Sequence, residues 1–202
     1  MLALMILAAL NTPADDLVQK VVNAYGGAAA WEKVASYRET GKVTSAMRSG
    51  VGKLDREWTR PDKLRVEIEY ASHAEVRIVD GDKGTQNGKD ATGMGLDAMR
   101  LQAARLAIPL LLVQKRSELN SLSANMIEIP VAKDVAVTIE VDPATGHILK
   151  STGKAEGVEF TTTYGDFRKV DGLLFAFREE NTAQGMATGT NEISKVEISL
   201  RK

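Results

Sequence analysis

Residues 94–116, MGLDAMRLQAARLAIPLLLVQKR, form a long apolar-rich helical run set between stretches that alternate like strands. On a helical wheel Leu96, Met99, Ala103, Leu106 and Ala107 fall on one arc of about 100°. Asp97, Arg100 and Arg105 lie off that arc. Pro109 interrupts the helix, because its ring clashes with the preceding turn and its nitrogen has no hydrogen to donate. Beyond it Leu110, Leu111, Leu112 and Val113 are apolar on every side. Burying one Leu or Met contributes about 1.5–3 kcal/mol, so this segment must cover some other part of the chain.

What it covers is a sheet. In residues 63–70, Leu64, Val66, Ile68 and Tyr70 share one face, with Lys63, Arg65, Glu67 and Glu69 on the other. That alternation belongs to an antiparallel sheet with one wet face. Two helices precede it. The first, 13–25, carries Leu17, Val18, Val21, Val22 and Tyr25 on one side and ends at Gly26-Gly27; the second, 28–35, carries Trp31 and Val34. Glycine takes the left-handed C-cap conformation at little cost.

Strands are expected at 38–47 and 51–60, with Ser49-Gly50 as the turn between them. After 63–70 comes 75–79, with Val76 and Ile78 inward, then the Asp80-Gly81-Asp82 and Asn87-Gly88 turns around a short strand. Past the helical run the pattern predicts strands at 126–131, 135–141, 148–151, 158–164, 173–179 and 186–200. Phe160, Thr162 and Tyr164 share one side, and Leu173, Phe175 and Phe177 alternate inward. Bulges are expected at Gly165-Asp166 and where the phase shifts between Ile193 and Val196. The class is α+β: an incomplete, strongly curved antiparallel β-barrel of about ten strands, with two N-terminal helices and a mid-chain helical lid. No repeat, linker or composition shift divides residues 13–202, which read as one domain.

The net charge of −1 gives no basic field, and no Lys/Arg run appears, which argues against nucleic acid as a partner. The chain has no cysteine, so disulfides, thiolate metal sites and a thiol nucleophile are excluded. Residues 1–12 open with the uncharged decamer MLALMILAAL, too short to span a bilayer and of the length of a signal-peptide apolar core. The expectation is a signal remnant and an exported, periplasmic protein; the other reading is an apolar helix packed on the core.

Catalytic patterns are weak. His73 and His147 fall at turns and outside metal-ligand spacing, and no cofactor is expected. Ser72 and His73 are adjacent, so they are not expected to form a nucleophile–base pair with each other in an ordinary geometry. No GxSxG or phosphate loop occurs, and the carboxylates mostly alternate outward. An enzyme is not expected.

Several motifs in order resemble the LolA/LolB-like periplasmic lipoprotein-carrier superfamily of outer-membrane lipoprotein-sorting proteins. They are Tyr25-Gly-Gly27 with Trp31 and Ser36, Trp58-Thr-Arg60-Pro61 leading to Leu64-Arg65, and Val79-Asp-Gly81. To these add Leu106-Ala-Ile-Pro109-Leu110, Asp142-Pro-Ala-Thr-Gly146, and Tyr164-Gly-Asp-Phe167 leading to Val170-Asp-Gly172-Leu173. The resemblance implies an incomplete barrel wrapped around helices, with an apolar cavity that receives acyl chains and no chemistry. Arg60 and Arg65 are the nearest candidates for the arginine that locks the lid in such carriers.

The expected function is therefore a periplasmic carrier of lipid acyl chains or lipoproteins, for outer-membrane lipoprotein sorting. A monomer is expected. The alternative is an envelope regulatory or scaffold module of the same fold that binds a protein partner. Cavity and lid residues would be Leu64, Val66, Ile68, Tyr70, Leu96, Met99, Leu106, Leu110, Leu111, Val137, Ile139, Phe160, Phe175 and Phe177. Met94, Met99 and Met126 would supply side chains that repack around varied ligands. Pro109 would be the hinge between a covering helix and an apolar flap.

Overall fold

In the computed structural model, which describes residues 13–46 and 50–201, thirteen antiparallel strands make one sheet. The apolar decamer, Met47 and Ser49 lie outside the described residues. Two helices come first, α1 (Pro13–Ala24) and α2 (Ala28–Lys33). Strands β1 (Val34–Ser45), β2 (Val51–Thr59), β3 (Lys63–Glu69), β4 (Ala74–Asp80), β5 (Lys83–Gln86) and β6 (Lys89–Asp90) then pair in sequence. After helices α3 (Gly93–Leu106) and α4 (Ile108–Gln114) follow β7 (Asn120–Ser123), β8 (Met126–Ala132), β9 (Val135–Val141), β10 (Ile148–Ala155), β11 (Val158–Val170), β12 (Leu173–Ala183) and β13 (Met186–Leu200).

The two meanders are joined where β1 pairs with β13, Tyr37 opposite Ile198 and Glu39 opposite Val196. This leaves β6 and β7 as the two free edges. The chain thus leaves the sheet at one edge and re-enters at the other, so the helices between must cross from arm to arm. Helix α3 accordingly packs on β4 and β5 of one arm and on β8, β9 and β10 of the other. Two glycines make room for it. A Cβ at Gly84 would stand 2.8 Å from Leu96 Cδ1 and 3.2 Å from Met99 Cε. One at Gly153 would stand 2.5 Å from Leu101 Cδ2.

The strand count exceeds the expected ten because β6 and β7 are short, fully exposed edges without alternation. Other strands outrun their apolar signal, β11 reaching Val170 and β12 reaching Ala183. The expected bulge at Gly165-Asp166 is absent. Asp166 has φ 52, yet Gly165 opposes Arg178 and Phe167 opposes Ala176 in one unbroken register. The second bulge is present. Thr40 opposes Lys195 and Gly41 opposes Ile193, leaving Ser194 as the extra residue that brings Val196 onto the inner face.

Strand β4 is inverted relative to expectation. Leu64, Val66 and Ile68 lie opposite Val79, Arg77 and Glu75, so those three face inward. Val76 and Ile78 oppose Glu67 and Arg65 on the outer face. A one-residue change of register exchanges the faces of a strand, and the turn after Tyr70 sets that register through the Tyr70 N–H to His73 carbonyl bond of 2.9 Å.

The helical run breaks at Ala107 (φ −102°, ψ 6°), two residues before Pro109. Pro109 sits in the first turn of α4, where a missing N–H costs nothing. Helix α4 buries Ile108, Pro109, Leu110 and Leu112 and packs on α1 and α2. It is a core element rather than a flap, and Pro109 starts a helix rather than hinging one.

The helices are latched to the sheet by the very motifs read from the sequence. Gly26 (φ 108°) brings its Cα against the carbonyl of Gly172, 2.7 Å from where a Cβ would be. The Tyr25 carbonyl accepts from Trp31 Nε1 at 2.8 Å, and its hydroxyl accepts from the Ile148 N–H at 3.2 Å. Arg60 caps the end of α2, donating from Nε to the Val34 carbonyl at 3.0 Å and from Nη2 to that of Trp31 at 2.9 Å. Beneath them Trp31, Tyr37, Trp58 and Phe175 form an aromatic cluster with centroids 5.2–6.3 Å apart.

Candidate functional site: a cavity beneath the bridging helix

A cavity of 450 Å³ lies between α3 and the inner face of the sheet. Ala98, Gln102, Arg105 and Leu106 of α3 line it from one side. Val43, Leu54, Val66, Ile68, Tyr70 and Phe160 supply apolar wall. The remainder is polar, and this is the main departure from the expected apolar cavity. Arg56, Arg77, Glu75, Glu179, Asn181, Asn191 and several threonines line it as well.

The polar wall has a buried centre. Arg56 donates from Nη1 and Nη2 to the two oxygens of Glu179 at 2.8 and 2.6 Å, and from Nε to Glu39. Asn191 Nδ2 donates to Glu179 at 2.9 Å. Arg56 and Glu39 are 3% and 2% exposed, so this is an ion cluster taken out of water. Burial raises the Glu39 carboxyl above the ordinary range, and the Glu179 charge adds to it against the pull of Arg56. Burial also pushes Glu179 upward, but the charge and fork of Arg56 outweigh it and hold Glu179 low. Arg56 thus holds Glu179 in a two-bonded fork and Glu39 through a single bond.

Two further arginines reach the cavity. Arg77 pairs with Glu75 at 3.4 Å and donates to Gln102 of α3 at 3.3 Å. Arg105 donates from Nη2 to the Phe160 carbonyl at 2.7 Å, while its buried Nε has no hydrogen-bond partner. Desolvation lowers its pKa, with Tyr164 and Glu179 opposing the shift. Tyr164 shares a 2.7 Å hydrogen bond with Ser151 Oγ, and burial pushes its phenol up to about 12. Arg105, Leu106, Tyr164 and Glu179 also line a second void of 50 Å³ toward α2 and α4, so they form the partition between the two.

Of the residues expected to form the site, the structure brings Val66, Ile68, Tyr70, Leu106 and Phe160 together around the cavity. Leu64, Val137, Ile139 and Leu110 are buried in the core instead. Leu96 and Met99 seat on Gly84. Phe175 belongs to the aromatic cluster, and Phe177 is buried with the Arg168 guanidinium 4.5 Å over its ring. Leu111 is partly buried in α4 and lies outside the cavity lining. Neither lid-lock candidate reaches the site: Arg60 caps α2, and Arg65 pairs with Glu67 at 2.7 Å on the outer face. Met94 is exposed and Met126 lies outside the lining.

The polar residues were missed, although a signal existed. Arg56 is in phase with Leu54 and Trp58, and Glu179 with Phe175 and Phe177, so strand alternation already places both inside. Ser72 Oγ lies 3.0 Å from His73 Nδ1 in the exposed turn, so the neighbours do come within hydrogen-bond reach. Among the described residues no carboxylate is hydrogen-bonded to that ring, which stacks on Tyr70. No cluster of three metal-ligating side chains occurs among the described residues.

No family model matches the chain, and no curated protein matches it in sequence. Solved structures do match in fold. A LolA-superfamily protein from Nitrosomonas europaea superposes with a TM-score of 0.54 at 11% identity, covering 94% of each chain. A domain described as outer membrane lipoprotein-sorting from Vibrio parahaemolyticus gives 0.55 at 12% identity over 91% of each. At such identities the likeness is one of fold alone.

Proposed function

We propose that this chain is a carrier that takes an acyl chain into the cavity beneath α3. The observation that carries the reading is the 450 Å³ space itself, bounded on one side by Val43, Leu54, Val66, Ile68 and Phe160. Ligand sites of this kind span about 300–1,000 Å³ and bury most of a small ligand. Transfer of apolar surface from water would drive binding, at about 25 cal/mol per Å² before the costs of association. The fold likeness to lipoprotein-sorting proteins supports the same reading. The space accommodates a single chain better than a bundle of three, so a free or single-chain lipid is the better occupant than a whole triacylated anchor.

In this reading the protein is exported through its apolar leader, works in the periplasm as a monomer, and uses no cofactor and performs no chemistry. No helix among the described residues is long and apolar enough to cross a membrane. Mass spectrometry of gently purified protein is expected to find lipid, and a fluorescent fatty acid is expected to bind and be displaced by unlabelled acid. Absence of both sinks the proposal, and a stoichiometric protein captured from envelope extract without lipid would favour the partner-binding alternative.

A further inference from the structure

We infer that the cavity selects a single-chain amphiphile with an anionic head, a carboxylate, which Arg105 receives while the chain lies along the apolar wall. The inference rests on the carrier reading and deepens it. Among the described residues three arginines line the cavity, and two are already matched. Arg56 is forked onto Glu179 and bonded to Glu39. Arg77 stands beside Glu75.

Arg105 is different. Among the described residues it bonds only a neutral carbonyl, that of Phe160, and its Nε is buried without a partner. No ion pair between Arg105 and a carboxylate occurs among the described residues, and Glu179, whose charge acts on it, is committed to Arg56. A buried cation without a counter-charge is costly, and buried charges are normally paired. An arginine fork whose Nε lacks a partner has the geometry that a carboxylate accepts in two parallel bonds.

The position of Arg105 on α3 gives the pairing a consequence. The same guanidinium that would hold the head also ties α3 to β11 through Phe160. Phe160 lines the apolar wall, so head and chain sites adjoin. The ligand would therefore stitch the bridging helix to the sheet, and its departure would loosen both contacts together.

The test compares dodecanoate with 1-dodecanol, which share a chain length and differ in head charge, each displacing a neutral fluorescent probe from the intact protein. The expected result is at least tenfold tighter binding of dodecanoate, lost in Arg105→Gln and partly kept in Arg105→Lys. Equal binding of the two by the native protein overturns the anionic inference while leaving the carrier reading standing. A preference that survives in a folded Arg105→Gln overturns the role of Arg105. Binding of neither ligand overturns the carrier reading and the inference with it. Circular dichroism melting establishes that each variant is folded; if Arg105→Gln is not, the native preference and Arg105→Lys decide the matter, since a preference unchanged in the lysine variant overturns recognition by the fork.

Discussion

The Tyr37 hydroxyl in β1 donates a 2.7 Å hydrogen bond to the carbonyl oxygen of Leu106, the last residue of α3. The final carbonyls of a helix have no partner within it, and here one is met from the sheet. The bridging helix is thus tethered at its C-terminal end, where the chain breaks at Ala107. Its N-terminal end, with Met94 42% exposed, is the freer one. Opening of the cavity should therefore proceed from the N-terminal end of α3 toward a fixed point near Leu106.

Removing that tether by Tyr37→Phe should cost about 1 kcal/mol, the usual net worth of such a bond. The ring packing against Trp58 and Phe175 would be kept. Hydrogen exchange is the decisive readout: amides of 101–106 should exchange faster while those of β1 stay protected. Uniform acceleration throughout the chain would show that the bond is only one more element of global stability.

The buried ion cluster predicts opposite effects for its two carboxylates. The folded-state pKa of Glu39 is raised, so its contribution is favourable below the ordinary value of about 4.3 and is lost as pH rises through the folded value. Glu39→Gln should therefore melt close to the native protein near pH 4 and above it at pH 8. Glu179 is held low, so its contribution is present above the ordinary value and is lost as pH falls through the folded one. Glu179→Ala removes the fork and leaves Arg56 with Glu39 alone, which should cost about 1–3 kcal/mol at neutral pH. Melting curves across that range check both signs.

Gly153 sets the depth at which α3 rests on β10. In Gly153→Val the new Cβ meets Leu101 Cδ2 at 2.5 Å and the Ala136 carbonyl oxygen at 3.0 Å. The helix should lift from that arm, destabilising the fold by about 1–3 kcal/mol and weakening fatty-acid binding. Leu101→Ala should restore part of the stability in the Gly153→Val background. Additive losses would mean that the two residues do not share the contact.

Core and cavity variants should separate cleanly. Leu110 in α4 is fully buried, so Leu110→Asp should prevent folding. Phe160 is partly buried on the cavity wall. Phe160→Ser should leave the circular dichroism spectrum intact and lower the affinity for a fluorescent fatty acid about tenfold or more. If the two variants behave alike, the cavity is part of the core.

Much of the fold was legible because alternation and turn residues are local signals. Leu64, Val66 and Ile68 face inward as their spacing requires, and the shift between Ile193 and Val196 does mark a bulge. Strand β4 departs from its local pattern: Val76 and Ile78 look like core residues, but the pairing with β3 turns Glu75 and Arg77 inward instead. The site was harder. Apolar residues were assigned to the cavity as a set, yet Val137 and Ile139 are consumed in packing under α3, and only the three-dimensional arrangement says which apolar side chains are left uncovered.

Local signals in the sequence carry the inventory: antiparallel strands from alternation, a helix end from Gly26-Gly27, and a mid-chain apolar segment obliged to cover something. The tertiary structure decided what each part does. Pairing of β1 with β13 makes β6 and β7 the edges, so the segment between them must bridge the two arms. The same pairing gathers Glu39, Arg56, Glu179 and Asn191 from four strands into one buried cluster, and Arg105 lines the same cavity from α3. Periodicity is a property of neighbours along the chain, whereas register and burial are properties of neighbours in space, and charge compensation follows the second.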